Sequence, residues 1–486
     1  MLTLLVLAHS FLLVVLDDVD YRRFGFVDGA AVTPVIDQLA AEGVLMPNCQ
    51  APMAVCRPAL GSLLVGQRPD QTGVAYNSEG NSISPDGALA ITLSEAGYGT
   101  FLGGKYWEAD TGPPSVFGFG AWQDATASEG VPTTFGRQDQ QGFFDFLDSL
   151  EPNQPFYAFW APLLPHTPFN PPPSQLARVP DANQIWVPPH VSPTATESIR
   201  TDFGVFEHLT YARATQLLYA NTAWVDSLIG DALDGLEARG RLNDTIVIVC
   251  GDNGWAYGGV SKSSPYELGL RAPLIVAGPG IVPQTRPDLV SLLDIVPTIA
   301  DFAGVASDPR WAGRSLRPAL EGGSGNPRSS ICGVNYDSRG DPVAIHVRDD
   351  RWKLIYYLRP SSDGRLPWKA FFATFPEFGN DQTVLFDLQS DPEERTDLAG
   401  DSARAQVVNS LRAIALKWYY YEISAAVNPC PSDVTFDGVT DLSDLAAILS
   451  AFGGPADSPL DLTRDGVVDL ADLAGLLASY GVACDR

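Results

Sequence analysis

The sequence predicts an α/β fold in which a mostly parallel β-sheet is flanked by helices. Apolar, β-branched runs of strand length alternate with segments of helical periodicity, and glycine or proline marks most of the junctions. The chain has 486 residues, of which 45% are hydrophobic, enough for roughly two to four domains with cores of their own. Strands and helices that alternate in this way are typical of parallel sheets covered on both faces.

The first predicted strand is the apolar run FLLVVLDDV, which begins at Phe11, and a helix follows in TPVIDQLAAEG. In that helix Thr33 suits the N-cap, Pro34 the first helical position and Gly43 the end. A short helix over 92–96 with Gly97 as its cap precedes the predicted strand YGTFLGG, and PFYAFWAPLL predicts another buried strand.

The later segments complete the main domain and predict a smaller one. LLYANTAWVDSLIGDALDGLEARG has helical periodicity and ends at Gly240, and DTIVIVCGDNG follows it as a strand. HVRDDRWKLIYYL and TVLFDLQSDPEERTDL predict antiparallel strands of an α+β subdomain. We therefore expect a main α/β domain over 11–325, a subdomain over 326–425 and a third domain over 426–486.

Charge and the N-terminal run limit the possible partners. The chain has 31 basic and 58 acidic residues, a formal net charge of −27, which argues against nucleic acid or an anionic membrane surface as a partner. MLTLLVLAHSFLLVVLDD resembles a signal-peptide core without a basic n-region. A signal segment over residues 1–10 and a buried strand both remain open. The run is short for a membrane span, and we expect none in the chain.

Polar side chains follow the predicted strands at their carboxyl ends, where open α/β sheets place their sites. Asp17 and Asp18 end the first strand, and Asp252 and Asn253 end a later one. Their side chains offer only oxygen ligands, which suit Ca²⁺ or Mg²⁺. Each pair alone is more often an exposed turn or a helix cap, but the shared position favours a metal site.

Cys56 lies in AVCRPALGSLLVG, directly before Arg-Pro and an apolar run that predicts the first turns of a helix. Six cysteines are too few for a disulfide scaffold. From the residues alone, Cys56 is a buried thiol, a disulfide partner of Cys49 or a reactive group. Cys250, on a predicted strand, is most simply a buried thiol.

Nine segments resemble, in this order, the type I sulfatase family: VVLDDVDY, VCRPALGSLLVGQRPDQTGV, LSEAGYGTFLGGK, LPHTP, NDTIVIVCGDNG, RAPLIVAGPGI, VSLLDIVPTIADFAGV, RWKLIYY and LFDLQSDPEERTDLA. The resemblance covers about residues 11–400 and implies an alkaline phosphatase-like fold. It also implies a cysteine that is oxidised to formylglycine after synthesis, with a hydrated aldehyde that attacks the sulfur of a sulfate ester.

The same resemblance implies a role for each site residue. Cys56 occupies the position of the modified cysteine in the motif Cys-x-Pro-x-Arg. The metal, Ca²⁺ or Mg²⁺, would be held by Asp17, Asp18, Cys56, Asp252 and Asn253. The sulfate oxygens and the leaving group would be served by Lys105, His166 and Lys262, as preorganised charge stabilisers.

Two departures from the family pattern bear on activity. The motif arginine is Leu60, with Arg57 in the same turn as a candidate substitute, and the histidine expected two or three residues after the lysine is replaced by Trp107 and Glu108. One lost donor typically lowers a rate about 100- to 1000-fold. The sequence predicts a sulfatase acting on sulfated glycans. The alternatives are a catalytically impaired sulfatase-fold protein that binds sulfated glycans, and a phosphoester hydrolase of the same superfamily.

Residues 426–486 contain an internal repeat, in which DVTFDGVTDLSD and DLTRDGVVDLAD begin 28 residues apart and each precedes a short apolar helix. The repeat resembles a dockerin, a duplicated EF-hand-like calcium-loop module. The calcium ligands expected on this resemblance are Asp433, Thr435, Asp437, Asp441, Asp444, Asp461, Thr463, Asp465, Asp469 and Asp472. A cohesin-like or cell-surface partner and a secreted or periplasmic location follow as expectations, together with a bridge between Cys430 and Cys484.

Overall fold

The structure is a computed structural model. It describes residues 9–77, 82–123, 140–187, 191–202, 205–254, 260–325, 328–338, 340, 342–358, 383–419, 432, 434, 440–450, 452, 462 and 467–481. The expected bridge between Cys430 and Cys484 and the first eight residues of the N-terminal run lie outside these ranges.

The strands, in chain order, are β1 Ser10–Leu16, β2 Val44–Met46, β3 Cys49–Gln50, β4 Gly99–Gly104, β5 Ala121–Gln123, β6 Phe156–Ala161, β7 Thr196–Asp202, β8 Val205–Thr210, β9 Thr245–Gly251, β10 Leu274–Ala277, β11 Gln284–Thr285, β12 Val290–Ser291, β13 Ile331–Tyr336, β14 Pro342–Arg348, β15 Trp352–Tyr357 and β16 Thr383–Asp387. The α-helices are α1 Pro34–Glu42, α2 Cys56–Val65, α3 Pro69–Thr72, α4 Leu89–Glu95, α5 Gln141–Ser149, α6 Pro173–Leu176, α7 Tyr211–Ala238, α8 Glu267–Leu270, α9 Ile295–Ala303, α10 Arg317–Leu320, α11 Ala405–Trp418, α12 Leu442–Ser450 and α13 Leu470–Ala478.

The large sheet has the order β11-β2-β10-β9-β1-β6-β4-β5. Strands β9, β1, β6, β4 and β5 are parallel neighbours, whereas β10 pairs antiparallel with both β9 and β2. The expectation of a mostly parallel sheet is therefore confirmed, with β10 as the reversed strand within the described residues. Since β4, β6, β1 and β9 lie side by side and point the same way, their carboxyl ends meet at one edge.

Strand β1 shows how the sheet is covered on both faces. Leu12, Val14 and Leu16 belong to a buried cluster with α1, α5 and α7, while Phe11, Leu13 and Val15 belong to a second cluster with α2, α4 and α9. Alternate side chains of a strand point to opposite faces, so a continuous apolar run is what a doubly covered strand requires. Burial of each of these large side chains contributes about 1.5–3 kcal/mol.

Two of the predicted helix signals work differently from expectation. Thr33 precedes α1, but its hydroxyl donates to Asp37 and accepts from the Gly25 backbone instead of capping the helix. Gly43 ends α1 in an extended conformation, and a Cβ there would lie 2.3 Å from the carbonyl oxygen of Val276. Glycine is therefore required by the close approach of β10 rather than by a left-handed backbone.

The predicted antiparallel strands of the smaller region form a four-stranded sheet in the order β13-β14-β15-β16, against which α11 packs. The same apolar cluster includes Met53 and Val55. Because Val55 directly precedes α2, the second sheet supports the backbone that leads into Cys56.

The two C-terminal helices pack on each other through Ile448 of α12 and Leu476 of α13, with Val434 and Val468 beside them. At the other end of the chain, Ser10 is already the first residue of β1, and its hydroxyl accepts from the Phe156 backbone. The strand interpretation therefore holds for Ser10 onward. Among the described helices, none has the length and apolar character needed to cross a membrane.

Candidate active site

The side chains singled out from the sequence meet at the carboxyl edge of the large sheet. Asp17 and Asp18 follow β1, Lys105 follows β4, and Asp252 and Asn253 follow β9. His166 lies five residues beyond the end of β6, and Cys56 is the first residue of α2. The contacts described below connect all of these residues and Lys262 in one buried cluster.

Cys56 is a free, buried thiol at the centre of this cluster. Its Sγ lies 3.3 Å from Oδ1 of Asp17 and 3.8 Å from Oδ1 of Asp18, and it accepts from the Nζ of Lys262 at 2.8 Å. Cys49 and Cys250 are also free and buried, so the disulfide alternative for Cys56 is wrong and the buried-thiol interpretation of Cys250 is confirmed. Burial, with Asp17 adding to it, raises the pKa of the Cys56 thiol well above its usual range.

Asp18 contacts several of the other side chains in the cluster. It adopts a left-handed conformation with φ 63°, and its backbone N–H donates to Oδ1 of Asp252 at 3.0 Å. The Nδ2 of Asn253 donates to Oδ1 of Asp18 at 2.7 Å. A left-handed aspartate costs of order 1 kcal/mol or more and persists where surrounding contacts enforce it, as is typical of functional sites.

Two buried lysines neutralise part of the acidic charge. Lys105 pairs with Asp17, and Lys262 donates to Oδ1 of Asp18 at 2.5 Å. Burial opposes the charged form of both lysines, but the carboxylates outweigh it and raise the pKa of each above its usual value. Burial likewise opposes ionisation of Asp17, yet Lys105, His166 and Lys262 together lower its pKa. These groups are therefore ionised at neutral pH.

His166 faces the same carboxylates from the end of β6. Its Nδ1 lies 2.7 Å from the carbonyl oxygen of Thr167, which can only accept, so Nδ1 carries the proton. Burial lowers the pKa of His166 more than Asp17 and Asp18 raise it. The neutral ring then presents the lone pair of Nε2, 3.4 Å from Oδ2 of Asp18.

The carboxylate and amide oxygens fit a divalent cation. The buried atoms Oδ2 of Asp18, Oδ2 of Asp252 and Oδ1 of Asn253 have no hydrogen-bond partner, and buried acceptors are almost always satisfied. Burial, together with Asp17 and Asp18, raises the pKa of Asp252 well above its ordinary value, as expected for a carboxylate that lacks a counter-charge. Hard oxygen ligands of this kind suit Ca²⁺ or Mg²⁺.

A second set of possible ligand atoms overlaps the first. Asp17, Asp18, Cys56 and His166 each place one ligand atom within 4.8 Å of the others. This grouping includes His166, which the sequence interpretation assigned to the sulfate rather than to the metal.

The residues at the two departures from the family motif lie close to the site, with the following contacts. Leu60 is buried in the core cluster beneath α2 and carries no polar function. The guanidinium of Arg57 contacts Glu108, and its Nε and Nη2 each lie 2.9 Å from a carboxylate oxygen of that residue. Trp107 lies with its ring 5.3 Å from the Nζ of Lys105.

Sequence reasoning missed the pairing of Arg57 with Glu108. The available signal was the presence of two oppositely charged residues beside two predicted site residues, Cys56 and Lys105. That signal is weak, because the two partners are 51 residues apart.

The repeat near the C-terminus is described in part. Asp444 and Asp472 are buried, and each accepts from the backbone N–H of the aspartate three residues earlier, Asp441 or Asp469. In α13 this contact is part of a capping box in which Asp469 is the N-cap and Asp472 the third helical residue. Asp444 makes the equivalent contact at the start of α12. The other expected calcium ligands, Asp433, Thr435, Asp437, Asp461, Thr463 and Asp465, lie outside the described residues.

Comparison with known proteins gives one family and a consistent set of relatives. The family model described as Sulfatase matches residues 9–305. The chain is 26% identical to arylsulfatase A of Homo sapiens over 467 residues, covering 87% of this chain and 90% of that protein. It is 28% identical to N-acetylglucosamine-6-sulfatase of Bos taurus over 356 residues, which are 62% of each chain.

Solved structures share the fold. One, a protein in complex with its substrate D-glucosamine-2-N,6-O-disulfate, superposes with a TM-score of 0.67 at 18% identity, covering 88% of this chain and 99% of the other. A phosphonate monoester hydrolase of Agrobacterium radiobacter superposes with a TM-score of 0.66 at 19% identity, covering 84% and 95%. At these identities the likeness concerns the fold alone.

Proposed function

The chain belongs to the sulfatase family, whose members are sulfuric ester hydrolases, and we propose that it cleaves the sulfate esters of sulfated glycans with residue 56, as formylglycine, as the nucleophile. The observation that carries the proposal is the placement of Cys56 at the start of α2, in contact with Asp17 and Lys262. The N-terminus of a helix favours negative charge that develops on an attacking oxygen.

The residues around Cys56 suit the chemistry of this reaction. The attacking hydroxyl on residue 56 gives up its proton as its oxygen forms a bond to sulfur, the bond from sulfur to the ester oxygen breaks, and the departing alkoxide takes up a proton to become the alcohol. Lys105 and Lys262 provide fixed positive charges for the sulfate oxygens, and such preorganised donors act without reorganising during the reaction. His166 is placed to exchange a proton at Nε2, the nitrogen that is free of the Thr167 contact.

The charge balance of the site supports a bound divalent cation. Three carboxyl groups, those of Asp17, Asp18 and Asp252, face two lysines, and burial together with the neighbouring Asp17 and Asp18 raises the pKa of Asp252. A Ca²⁺ or Mg²⁺ ion held by Asp18, Asp252 and Asn253 would supply the missing positive charge and favour the ionised form of Asp252. When bound, it supplies Lewis-acid stabilisation of negative charge on oxygen.

The test is hydrolysis of a chromogenic aryl sulfate and of a glucosamine sulfate by protein from a host that forms formylglycine, with peptide mass spectrometry of residue 56. We expect formylglycine in part of the protein, metal-dependent turnover, and at least a 1000-fold loss in Cys56→Ala and Asp252→Ala. Asp148→Asn, at an exposed ion pair with Arg239, serves as the control and should leave the rate unchanged.

Other results would point elsewhere. Unmodified Cys56 with binding of sulfated glycans but no turnover would favour the impaired, glycan-binding alternative. Faster turnover of a phosphate monoester than of any sulfate ester would favour the phosphoester hydrolase.

We also propose that residues 426–486 are a dockerin-like module that binds calcium and attaches a secreted enzyme to a cohesin-like or cell-surface partner. Its support is a duplicated pattern of exposed apolar side chains. The three equivalent pairs, each 28 residues apart, are Leu442 and Leu470, Leu449 and Leu477, and Phe452 and Tyr480, all more than 40% exposed. Exposed apolar groups that recur in this way mark an interaction surface.

Calcium titration of the full chain tests this proposal. We expect calcium to protect the region after residue 425 from a protease, because acidic loops repel one another until a cation binds. Asp433→Ala with Asp461→Ala should abolish that protection. A cleavage pattern that is the same with calcium and with chelator would contradict it.

A further inference from the structure

The ion pair between Arg57 and Glu108 joins the two segments that carry Cys56 and Lys105. Arg57 is the second residue of α2, directly after Cys56, and Glu108 lies three residues after Lys105, beyond the end of β4. Both side chains are nearly inaccessible, with 3% and 1% of their surface exposed, and two parallel contacts of 2.9 Å connect them. A bidentate contact fixes the relative orientation of its partners as well as their distance.

Both ends of this pair are held by further contacts. The backbone N–H of Arg57 donates to Oδ1 of Asn77 at 2.9 Å, which fixes the first turn of α2 and with it the direction of the Cys56 side chain. On the other side, Trp107 stacks over the ammonium group of Lys105, which pairs with Asp17. The segment from Lys105 to Glu108 is thus anchored at both ends.

Stability alone does not account for a buried ion pair at this place. Removing two charges from water offsets most of their attraction, so a buried pair contributes little net stability compared with apolar side chains of similar size. A fixed geometry is the property that an apolar contact would not supply. Misplacement of a reacting group by about 1 Å can lower a rate by about 100-fold.

We propose that Arg57 and Glu108 are positioning residues, which set the distance and orientation between the nucleophile at residue 56 and the ammonium group of Lys105. They act through Cys56 and Lys105. The inference rests on the proposed function, because it takes residue 56 as the nucleophile and Lys105 as a ligand of the sulfate.

The test compares Glu108→Gln, Arg57→Met and the double variant, with kcat divided by the fraction of residue 56 present as formylglycine. This correction is needed because Arg57 lies next to the modified residue. Each single variant leaves one buried charge without its partner and should lower Tm. The double variant removes both charges and should regain most of the lost Tm.

The deciding comparison is whether kcat of the double variant recovers together with its Tm. We expect kcat of the double variant to remain at least tenfold below that of the wild type, with KM changed less than threefold. As a matched control, Asp294→Asn breaks a buried contact with Arg328 away from the site, and it should lower Tm while leaving kcat unchanged. Recovery of kcat together with Tm in the double variant would overturn the proposal.

Cys56→Ala keeps this inference distinct from the proposed function. If Cys56→Ala is inactive and Glu108→Gln retains full kcat, the positioning role is wrong and the proposed function stands. If Cys56→Ala retains activity, both are overturned.

Discussion

Leu60 lies in the apolar cluster with Leu63 and Leu64 on the inner side of α2. The family motif has arginine at this position, yet only 5% of the Leu60 side chain is exposed. The nearby carboxylate of Glu108 is already occupied by Arg57. A guanidinium at position 60 would therefore enter an apolar cluster without water, and without Glu108 as a partner.

Leu60→Arg should destabilise the protein by about 3 kcal/mol, since a buried charge without a partner is among the most costly substitutions. The expected result is a lower Tm and less soluble protein, without a gain in rate. Thermal melting and aryl sulfate turnover measure the two effects. Leu60→Met is the matched control and should change Tm little. A variant with a wild-type Tm and higher kcat would show that the site accepts the motif arginine after all.

The loss of thermal stability on metal removal should depend on pH, because Asp252 binds a proton in the metal-free protein. Its raised pKa means that the metal-free folded state binds a proton more tightly than the unfolded chain, so this group's contribution to stability is present at low pH and is lost as pH rises. A bound cation replaces that proton. We expect EDTA to lower Tm more at pH 8 than at pH 5.5, measured by differential scanning fluorimetry. An EDTA effect of equal size at both pH values would contradict this prediction.

At the scale of elements, strands β1, β6 and β9 could be predicted because each is a continuous apolar run between polar residues. The reversed direction of β10 could not, since the local pattern of a buried strand is the same in either direction. The ends of parallel strands are read directly from such runs, and Asp17, Asp18, Asp252 and Asn253 were identified for that reason. The roles of Lys105, His166 and Lys262 came from the family resemblance. The contact of Arg57 with Glu108 depends on how α2 and β4 are packed, which local patterns do not encode.

A buried network joins α8 to the smaller sheet. Glu267 contacts Arg348 of β14 at 2.5 Å and Lys353 of β15 at 2.9 Å, and Lys353 lies 3.2 Å from Glu394. Burial, with Glu267 adding to it, raises the pKa of Glu394 to about 7 against the pull of Lys353. Burial also opposes ionisation of Glu267, but Arg348 and Lys353 lower its pKa to about 2. Between pH 5 and 8, Glu394 is therefore the group of this acidic pair that titrates.

Glu394→Gln should flatten the dependence of stability on pH. Because the pKa of Glu394 is higher in the folded protein than in the unfolded chain, its protonated carboxyl stabilises the fold at low pH. This contribution disappears as pH rises to about 7. The wild type should lose up to about 2 kcal/mol of unfolding free energy from this group between pH 5 and 7.5, and the variant should not. Urea unfolding at several pH values measures the difference. Glu393→Gln, at a partly exposed neighbour, is the control, and an unchanged pH slope in Glu394→Gln would contradict the assignment.

At the scale of the whole molecule, the net charge of −27 opposes the approach of an anionic substrate. The acidic excess is concentrated towards the C-terminus, where residues 426–486 contain ten aspartates and two arginines. Lys105 and Lys262 attract sulfate only at short range, because charges beyond about 10 Å are largely screened at 0.1 M ionic strength. The net negative charge of the chain thus opposes association with the substrate, whereas the positive charges of the two lysines act on its sulfate group at the site.

The kcat/KM for a polysulfated oligosaccharide should therefore rise severalfold between low salt and 0.15 M NaCl, because screening weakens the long-range repulsion. Initial rates at low substrate concentration measure this quantity, and a monosulfated aryl ester, with fewer charges, should show a smaller rise. A chain that ends at residue 425 should show a weaker salt dependence than the full chain, since the most acidic segment is gone. A fall in kcat/KM with salt for both chains would mean that a cationic surface near the site, rather than the net charge, controls the encounter.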